Sequence, residues 1–490
     1  MSENTVTKAE LEQVERALVD SSVKAPVLFF FTMGMLWLLA STILGFISSV
    51  KLHSPDFLTT SPFLTYGRVW PVYLDSLLYG WGVQAGIGVA IWILARLCKV
   101  AMKRSALAIA GGALWNLGTA LGCLGVLGGN STGIDLLEMP RFALTLMLVG
   151  YLLVGAWVWA LVQQRREGPS FISLWYLLGA FVCFPWAFGA ASFMIFGGHT
   201  TGVMQNIVDA WYIRALFGFW FMSLGLGTAY YLIPKVLGRP VASYELASAG
   251  FWSLMALVGW TGMTRLDGGP VPVWLVTVSI ATTILLVIPM ALIALNFKRT
   301  MDGNFQMVFH SPTVRFTFFG VVSWVIAILL LVATSFRSVS HLLQATQLSV
   351  AVLQIVAYAF FTMIMFGAMY YIVPRLVGCE WISPAFIHMH FLGSAYGIAF
   401  TVAMLLIGSL SQGSAWANLD VTNVQVFDIA LPFLRGRSIG WLLLFVGHVT
   451  FGLHFFAMLL RLGRPAGAPT LFAPLPSAGS SQPSQRSIAH

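Results

Sequence analysis

Charge is what this 490-residue sequence has least of: Asp, Glu, Lys and Arg together make 9% of it, against 58% hydrophobic residues. A chain folded in water could not cover its outside with so few polar groups, which excludes an ordinary soluble domain. Cysteine is scarce too. Cys98, Cys123, Cys183 and Cys379 stand singly, so the sequence has no CxxC metal pair and no CxxCH attachment site. The period-two alternation of barrel strands is also missing, which leaves helices to satisfy the backbone in lipid. The first 25 residues are polar and charged and lack the apolar stretch of a cleavable leader. Residues 8–18 are expected to form a short cytoplasmic helix, with the first apolar run doing the targeting.

What is abundant is apolar length. Mean hydropathy is +0.85, and runs of about 20 apolar residues, enough to span a bilayer, begin near Val27, Trp70, Ala106, Phe142, Ser173, Val208, Leu246, Val271, Phe316, Leu348, Pro384 and Ile439. The reading is an all-α integral membrane bundle of twelve transmembrane helices over residues 26–464. Aromatic residues, 14% of the chain, anchor helix ends and fill the bundle. The net charge of +9 comes from basic residues between the spans. Arg96, Lys99, Lys103, Arg104, Arg165, Arg166, Lys235, Arg239, Lys298, Arg299, Arg375, Arg461 and Arg464 all fall on one side, which the positive-inside rule makes the cytoplasm of a bacterial inner membrane, with both termini there. Residues 465–490 are rich in Pro, Ser, Ala and Gly and read as a disordered tail. Spans 6 and 10 end alike, GTAYYLIPKVLG at 227–238 and FGAMYYIVPRLVG at 366–378. Such an echo is either internal repetition or a shared way to finish a membrane helix.

The segment MQNIVDAWYIRALFGF at 204–219, continued by AYYLIPK at 229–235, resembles helix 6 of the catalytic subunit I of cbb3-type haem-copper oxidases. So do YGRVWPVY at 66–73 in span 2, FWSL at 251–254 in span 7 and the ending of span 10. The resemblance runs from about Tyr66 through span 12 and implies the twelve-helix oxidase subunit I fold. It also implies three haem-ligating and three copper-ligating histidines, since imidazole suits both metals. In register, the low-spin haem ligands fall on Tyr73 and Gln354 and the high-spin ligand on Val352. The copper ligands fall on Arg214, Thr264 and Arg265, and the tyrosine cross-linked to a copper ligand on Val258. None is histidine, and a guanidinium stays protonated and offers no lone pair. The expectation is therefore no catalytic, cofactor-binding or metal residue, with haem b bound only if a site has been rebuilt.

Other polar residues were weighed as replacements. His388 and His390 begin span 11 and read as interfacial and structural. His448 and His454 in span 12 differ by about 120° in helical direction, which disfavours a shared metal. His199 and His341 lie in or beside the loops opposite the basic side. Asp75 and Arg214 are ionisable residues at membrane depth, which normally point into a bundle and find partners. Asp75, Tyr73, Arg214, Thr264, Arg265 and Gln354 are thus expected to form one polar network in the space the family gives to its metals; the competing expectation is bulky refilling by Trp211, Phe219 and Trp220 with Arg214 snorkelling outward.

Three functions follow. The first is a cofactor-free, subunit I-like pseudoenzyme of a respiratory electron-transfer complex, scaffolding a membrane-anchored c-type cytochrome or other haem-bearing subunit and not itself reducing oxygen. The second is a divergent oxidase or nitric oxide reductase with unfamiliar haem ligands. The third is a proton or ion conduit, or a quinone- or lipid-binding membrane protein. Nothing in the sequence suggests nucleic acid.

Overall fold

In the computed structural model, which describes residues 8–166, 168 and 170–465, twelve helices are long and apolar enough to cross a membrane. They are α1 (Glu12–His53), α2 (Tyr66–Cys98), α3 (Ser105–Leu127), α4 (Arg141–Gln163), α5 (Ile172–Phe196), α6 (Val203–Leu237), α7 (Tyr244–Leu266), α8 (Val273–Met301), α9 (Pro312–Ser335), α10 (Leu348–Val377), α11 (Pro384–Trp416) and α12 (Asn423–Leu459). The chain is a multi-pass membrane protein. The tail expected at 465–490 falls, beyond Pro465, outside the described residues.

The bundle has an inside and an outside. The most apolar windows of α2, α6 and α10 are 100%, 94% and 78% buried, whereas the other nine lie between 33% and 50%. Every fourth helix, beginning with the second, is therefore central. Glycine makes the close approach of these three possible: a side chain at Gly82 of α2 would come within 2.6 Å of the Phe221 ring of α6, and one at Gly225 of α6 within 2.4 Å of Phe360 of α10. Trp81 of α2 donates its indole N–H to Thr362 of α10 at 2.8 Å.

The three central helices share a second feature. Each contains a π-helical turn, at Ser76–Gly82, Leu216–Met222 and Ile355–Thr362. A π turn inserts a residue into the helical repeat, shifts the faces that follow and frequently marks a functional position. The likeness between spans 6 and 10 thus reaches beyond their Pro-and-basic endings and includes α2, which favours internal repetition over a shared helix end.

Two expectations about element ends are corrected. The short N-terminal helix is not separate, because Lys8–His53 is one continuous helix with Pro26 inside it; no glycine or turn sequence separates residues 18 and 27, and proline removes only one hydrogen bond. Asp20 is consequently fixed against α2, accepting from Arg96 Nε at 2.7 Å and from Trp92 Nε1 at 3.0 Å. Conversely, the regular α-helix of span 7 stops at Val258. Gly262 has φ +115°, a conformation open to glycine, and a separate 3-10 turn at Met263–Leu266 follows. Thr264 and Arg265 therefore lie on that turn, beyond the break, and not on the regular helix.

Candidate functional site

Tyr73 and Gln354 sit just before the π turns of α2 and α10, and both are fully buried. Gln354 Nε2 donates to the Tyr73 phenol oxygen at 2.5 Å. Aromatic rings close around the pair: Trp441 of α12 meets Tyr73 edge-on at 5.1 Å and Trp70 lies 5.5 Å away. Beyond Trp70, at 5.6 Å from its ring, is the guanidinium of Arg437. Arg437 has no exposed surface, and none of its three side-chain nitrogens has a partner among the described residues. Arg437 was not singled out from sequence, although a basic residue well inside an apolar run carries that signal.

Asp75, two residues further along α2, points elsewhere. Both its oxygens are buried without a partner, and its electrostatic neighbour is Glu138 of the loop between α3 and α4. Alongside, Tyr212 of α6 and Tyr79 of α2 join hydroxyls at 2.7 Å, and Tyr79 donates to the Leu136 carbonyl. Burial, reinforced by Asp135 and Asp209, pushes the Glu138 carboxyl up to about 7 against the pull of two backbone amides. This is a cluster of acids and tyrosines whose one described ion pair is that of the exposed Asp135 with Arg265.

Arg214 is partly buried in α6. Its Cβ packs against Gly262, 2.9 Å from where a side chain there would begin, and its Nε has no described partner. Arg265 is exposed and pairs with Asp135 at 2.8 Å, while Thr264 is half-buried in the same loop. Hence the six residues expected in one network divide three ways: Tyr73 with Gln354, Asp75 among acids and tyrosines, and Arg214, Thr264 and Arg265 at the edge opposite the basic loops. The facing direction of Asp75 on α2 separates it from Tyr73, and the break of α7 at Gly262 sets Thr264 and Arg265 apart. Bulky refilling is present as well, since Trp220 packs at 5.0 Å on Phe184 and Val258 lies against Gly218, where a side chain would come within 2.2 Å. Val352 packs at the rim of the core.

The histidines divide too. His341 bonds Asp267 at 3.1 Å, His388 bonds Arg315 at 3.0 Å, and His199 stacks on Phe193 at 4.5 Å; all three serve the surface. His390, expected to be interfacial, is instead completely buried, as are His448 and His454. His448 Nδ1 meets the Thr42 hydroxyl at 2.5 Å and its Nε2 meets the Tyr358 hydroxyl. His390 Nδ1 meets the Tyr370 hydroxyl at 2.9 Å. His454 Nε2 accepts from the Ile382 amide at 3.1 Å. Among the described residues no three His, Cys, Asp or Glu converge as a metal site.

Comparisons with known proteins agree over nearly the whole chain. The family model described as cytochrome C and quinol oxidase polypeptide I matches residues 25–463. A cytochrome c oxidase subunit 1 homolog of Agrobacterium tumefaciens is 25% identical, the match covering 89% of this chain and 84% of that one. The cbb3-type cytochrome c oxidase subunit CcoN1 of Stutzerimonas stutzeri is 22% identical over 85% of this chain and 91% of its own. Among solved structures, a cryo-EM structure of a heme-copper terminal oxidase dimer superposes with TM-score 0.69 at 11% identity, covering 94% of this chain and 86% of that one.

Proposed function

This chain belongs to the cytochrome c and quinol oxidase polypeptide I family, and from that premise we propose that it is a cofactor-free subunit of a respiratory electron-transfer complex, holding a haem-bearing partner in place and not itself reducing oxygen. The observation that carries the reading is the Tyr73–Gln354 hydrogen bond. By the sequence resemblance those two side chains fall at the positions of the family's low-spin haem ligands, and they bond to each other.

Neither haem nor copper fits the residues present. A phenol and an amide joined across the axial direction are not the paired nitrogen donors that a low-spin haem takes. At the positions the resemblance gives to copper, Arg214 offers a cation with no lone pair, and Thr264 and Arg265 stand on a 3-10 turn beyond the α7 break, with Arg265 exposed. Val258, closed over Gly218, supplies no phenol. No oxygen chemistry is therefore routed through this bundle.

What remains for a subunit I-like chain without cofactors is surface. The membrane-facing helices keep wide apolar faces, with Leu124, Phe193, Trp252 and Leu453 all more than 60% exposed, suited to lipid or to the helix of an anchored cytochrome. On the face opposite the basic loops, a cleft of about 470 Å³ lined by Asn206, Arg265, Asp267 and Gln344 gives a polar seat for an extramembrane domain. The positive-inside rule makes the basic face cytoplasmic.

The test is purification from native membranes followed by haem and copper quantification per chain, with the partners identified. The expected result is a co-purifying haem protein, most simply a c-type cytochrome, whose removal leaves this polypeptide without a Soret band. A Soret band stoichiometric with the isolated polypeptide overturns the proposal in favour of a divergent oxidase with rebuilt ligands.

A further inference from the structure

The three central helices finish alike as well as turning alike. Each ends at a residue in the left-handed conformation, Lys99 after α2, Gly238 after α6 and Gly378 after α10, with φ of +55°, +65° and +79°. Counting back from that residue, each helix carries an aromatic ring at the seventh position, Trp92, Tyr231 and Tyr371, and a cation at the third, Arg96, Lys235 and Arg375. A spacing of four puts ring and cation on one face of their helix, and the three faces converge. The Trp92 ring meets that of Tyr231 at 5.8 Å and that of Tyr371 at 5.9 Å. The Arg96 guanidinium lies 5.1 Å from the centre of the Trp92 ring, and that of Arg375 lies 3.5 Å from the centre of the Tyr371 ring. Lys235 has Arg96, Arg375 and Arg16 of α1 as charged neighbours. The basic end of the central helices is thus an aromatic floor with three cations set around it.

Cations at the ends of membrane helices ordinarily anchor in lipid phosphates or cap the last carbonyls of the helix. The first use does not suit these three, because α2, α6 and α10 are the buried helices and have little surface to offer a lipid; Lys298 and Arg299, on the outer α8, are better placed for it. The second covers part of Arg375, which donates to the Tyr371 carbonyl at 2.5 Å, but gives no reason for three cations to meet. Like charges brought together repel, and an anion placed among them relieves the repulsion. Asp20 does this for Arg96, accepting from its Nε at 2.7 Å. Lys235 is exposed and makes no hydrogen bond or ion pair among the described residues.

We propose that these three helix ends form a binding site for a phosphate-bearing anion dissolved on the basic side of the membrane, with Lys235 and Arg375 as its charged contacts and Arg96 shared between it and Asp20. The chemistry suits a phosphate, whose oxygens point in several directions: an ammonium donates in any of them, and a guanidinium donates as a planar fork. The aromatic floor keeps water from one side of the two guanidinium groups, which strengthens their pull on an anion. Because the cations stand on the inner helices, the site is reached from solution and not from the lipid around the bundle. Haem content, which decides the scaffold reading, has no bearing on it.

The test places the full-length chain in nanodiscs of phosphatidylcholine, which carries no net charge, and measures binding of radiolabelled pyrophosphate by scintillation proximity. Saturable binding of one pyrophosphate per chain is expected, displaced by orthophosphate and indifferent to chloride at matched ionic strength. Lys235→Gln and Arg375→Gln are each expected to weaken it about ten-fold, the loss of one charge-assisted hydrogen bond, and Lys235→Arg to retain it. Asp20→Asn, which releases Arg96, is expected to tighten it several-fold. Lys298→Gln removes one exposed charge from the same side of the membrane, on the outer α8, and is expected to bind as the wild type does. Glycerol phosphate and a short-chain phosphatidylglycerol, added as competitors, separate the two sources of phosphate: displacement by the first supports a dissolved anion, and displacement by the lipid alone overturns it. Absence of saturable binding to the wild-type chain overturns the proposal, as does unchanged binding in both Lys235→Gln and Arg375→Gln, or a loss in Lys298→Gln equal to theirs, which reduces the effect to overall charge.

Discussion

Tyr73 and Gln354 are the sharpest place to test whether the low-spin haem position has become a structural joint. Both side chains have zero exposure, and Tyr73 accepts the Gln354 amide proton at 2.5 Å, while Gln354 Oε1 already lacks a partner. Tyr73→Phe removes the acceptor and strands the whole amide in a dry site. That costs about 1–3 kcal/mol, because a buried group left without its partner loses its solvation and gains nothing. Gln354→Leu strands the phenol and falls in the same range. Changing both leaves an apolar pair of similar shape, which is close to neutral. The double-mutant cycle should therefore show a favourable wild-type coupling of about 2–6 kcal/mol, the sum of the two single costs. Unfolding midpoints of the four proteins in nanodiscs, followed by intrinsic fluorescence with Trp441 and Trp70 as near reporters, measure it. A double variant as unstable as the sum of the singles, or a coupling below about 0.5 kcal/mol, refutes the joint.

Two further outcomes follow from the same interior. Gly218→Ala drives a Cβ to within 2.2 Å of Val258 and is expected to destabilise by about 1–3 kcal/mol through overpacking; adding Val258→Ala should recover most of it, and a failure of that rescue removes Val258 as the filler. For pH, the folded Glu138 carboxyl sits at about 7, above the 4.5 of the free group, because of burial, with Asp135 and Asp209 adding to it. The folded state then binds more protons than the unfolded state between those values, so stability is greatest below about pH 4.5, falls as pH rises towards 7 and is flat above, by at most about 3 kcal/mol. Glu138→Gln should flatten that slope in unfolding midpoints taken from pH 4.5 to 8; a slope unchanged in the variant assigns it to the facing Asp75, Asp135 or Asp209.

The bundle was readable because its signals are additive over many residues. Twelve apolar runs with basic residues at alternate junctions define spans and faces whatever the details of packing. Contacts between helices were not readable in the same way. Asp75 and Arg214 lie at similar depth, but depth does not give azimuth, and the structure turns Asp75 towards Glu138 and sets Arg214 against Gly262. The loop position of Thr264 and Arg265 depends on one glycine with φ +115°, in a stretch whose composition is still apolar enough to count as helix. His390 looked interfacial from its place at the start of α11. Its burial comes from packing between helices, with Phe366 and Phe451 each 4.4 Å from its ring.

The π turns bring these strands of evidence together. A π turn costs regular hydrogen bonding and is usually kept where it positions something. Here three of them, in α2, α6 and α10, lie beside Tyr73, Arg214 and Gln354, the positions that the sequence resemblance assigns to the family's metal ligands. Their side chains are now packing: Trp81 bonds Thr362, Trp220 fills the space beside Phe184, and Phe360 covers Gly225. Backbone geometry can outlast the ligands it once aimed because each turn re-phases a whole helix, so regularising one would rotate every side chain beyond it out of the glycine faces that let the three central helices meet. A ligand can change one residue at a time. On this argument the oxidase fold persists here through the mutual fit of its central helices, a constraint that the proposed loss of metal ligands leaves untouched.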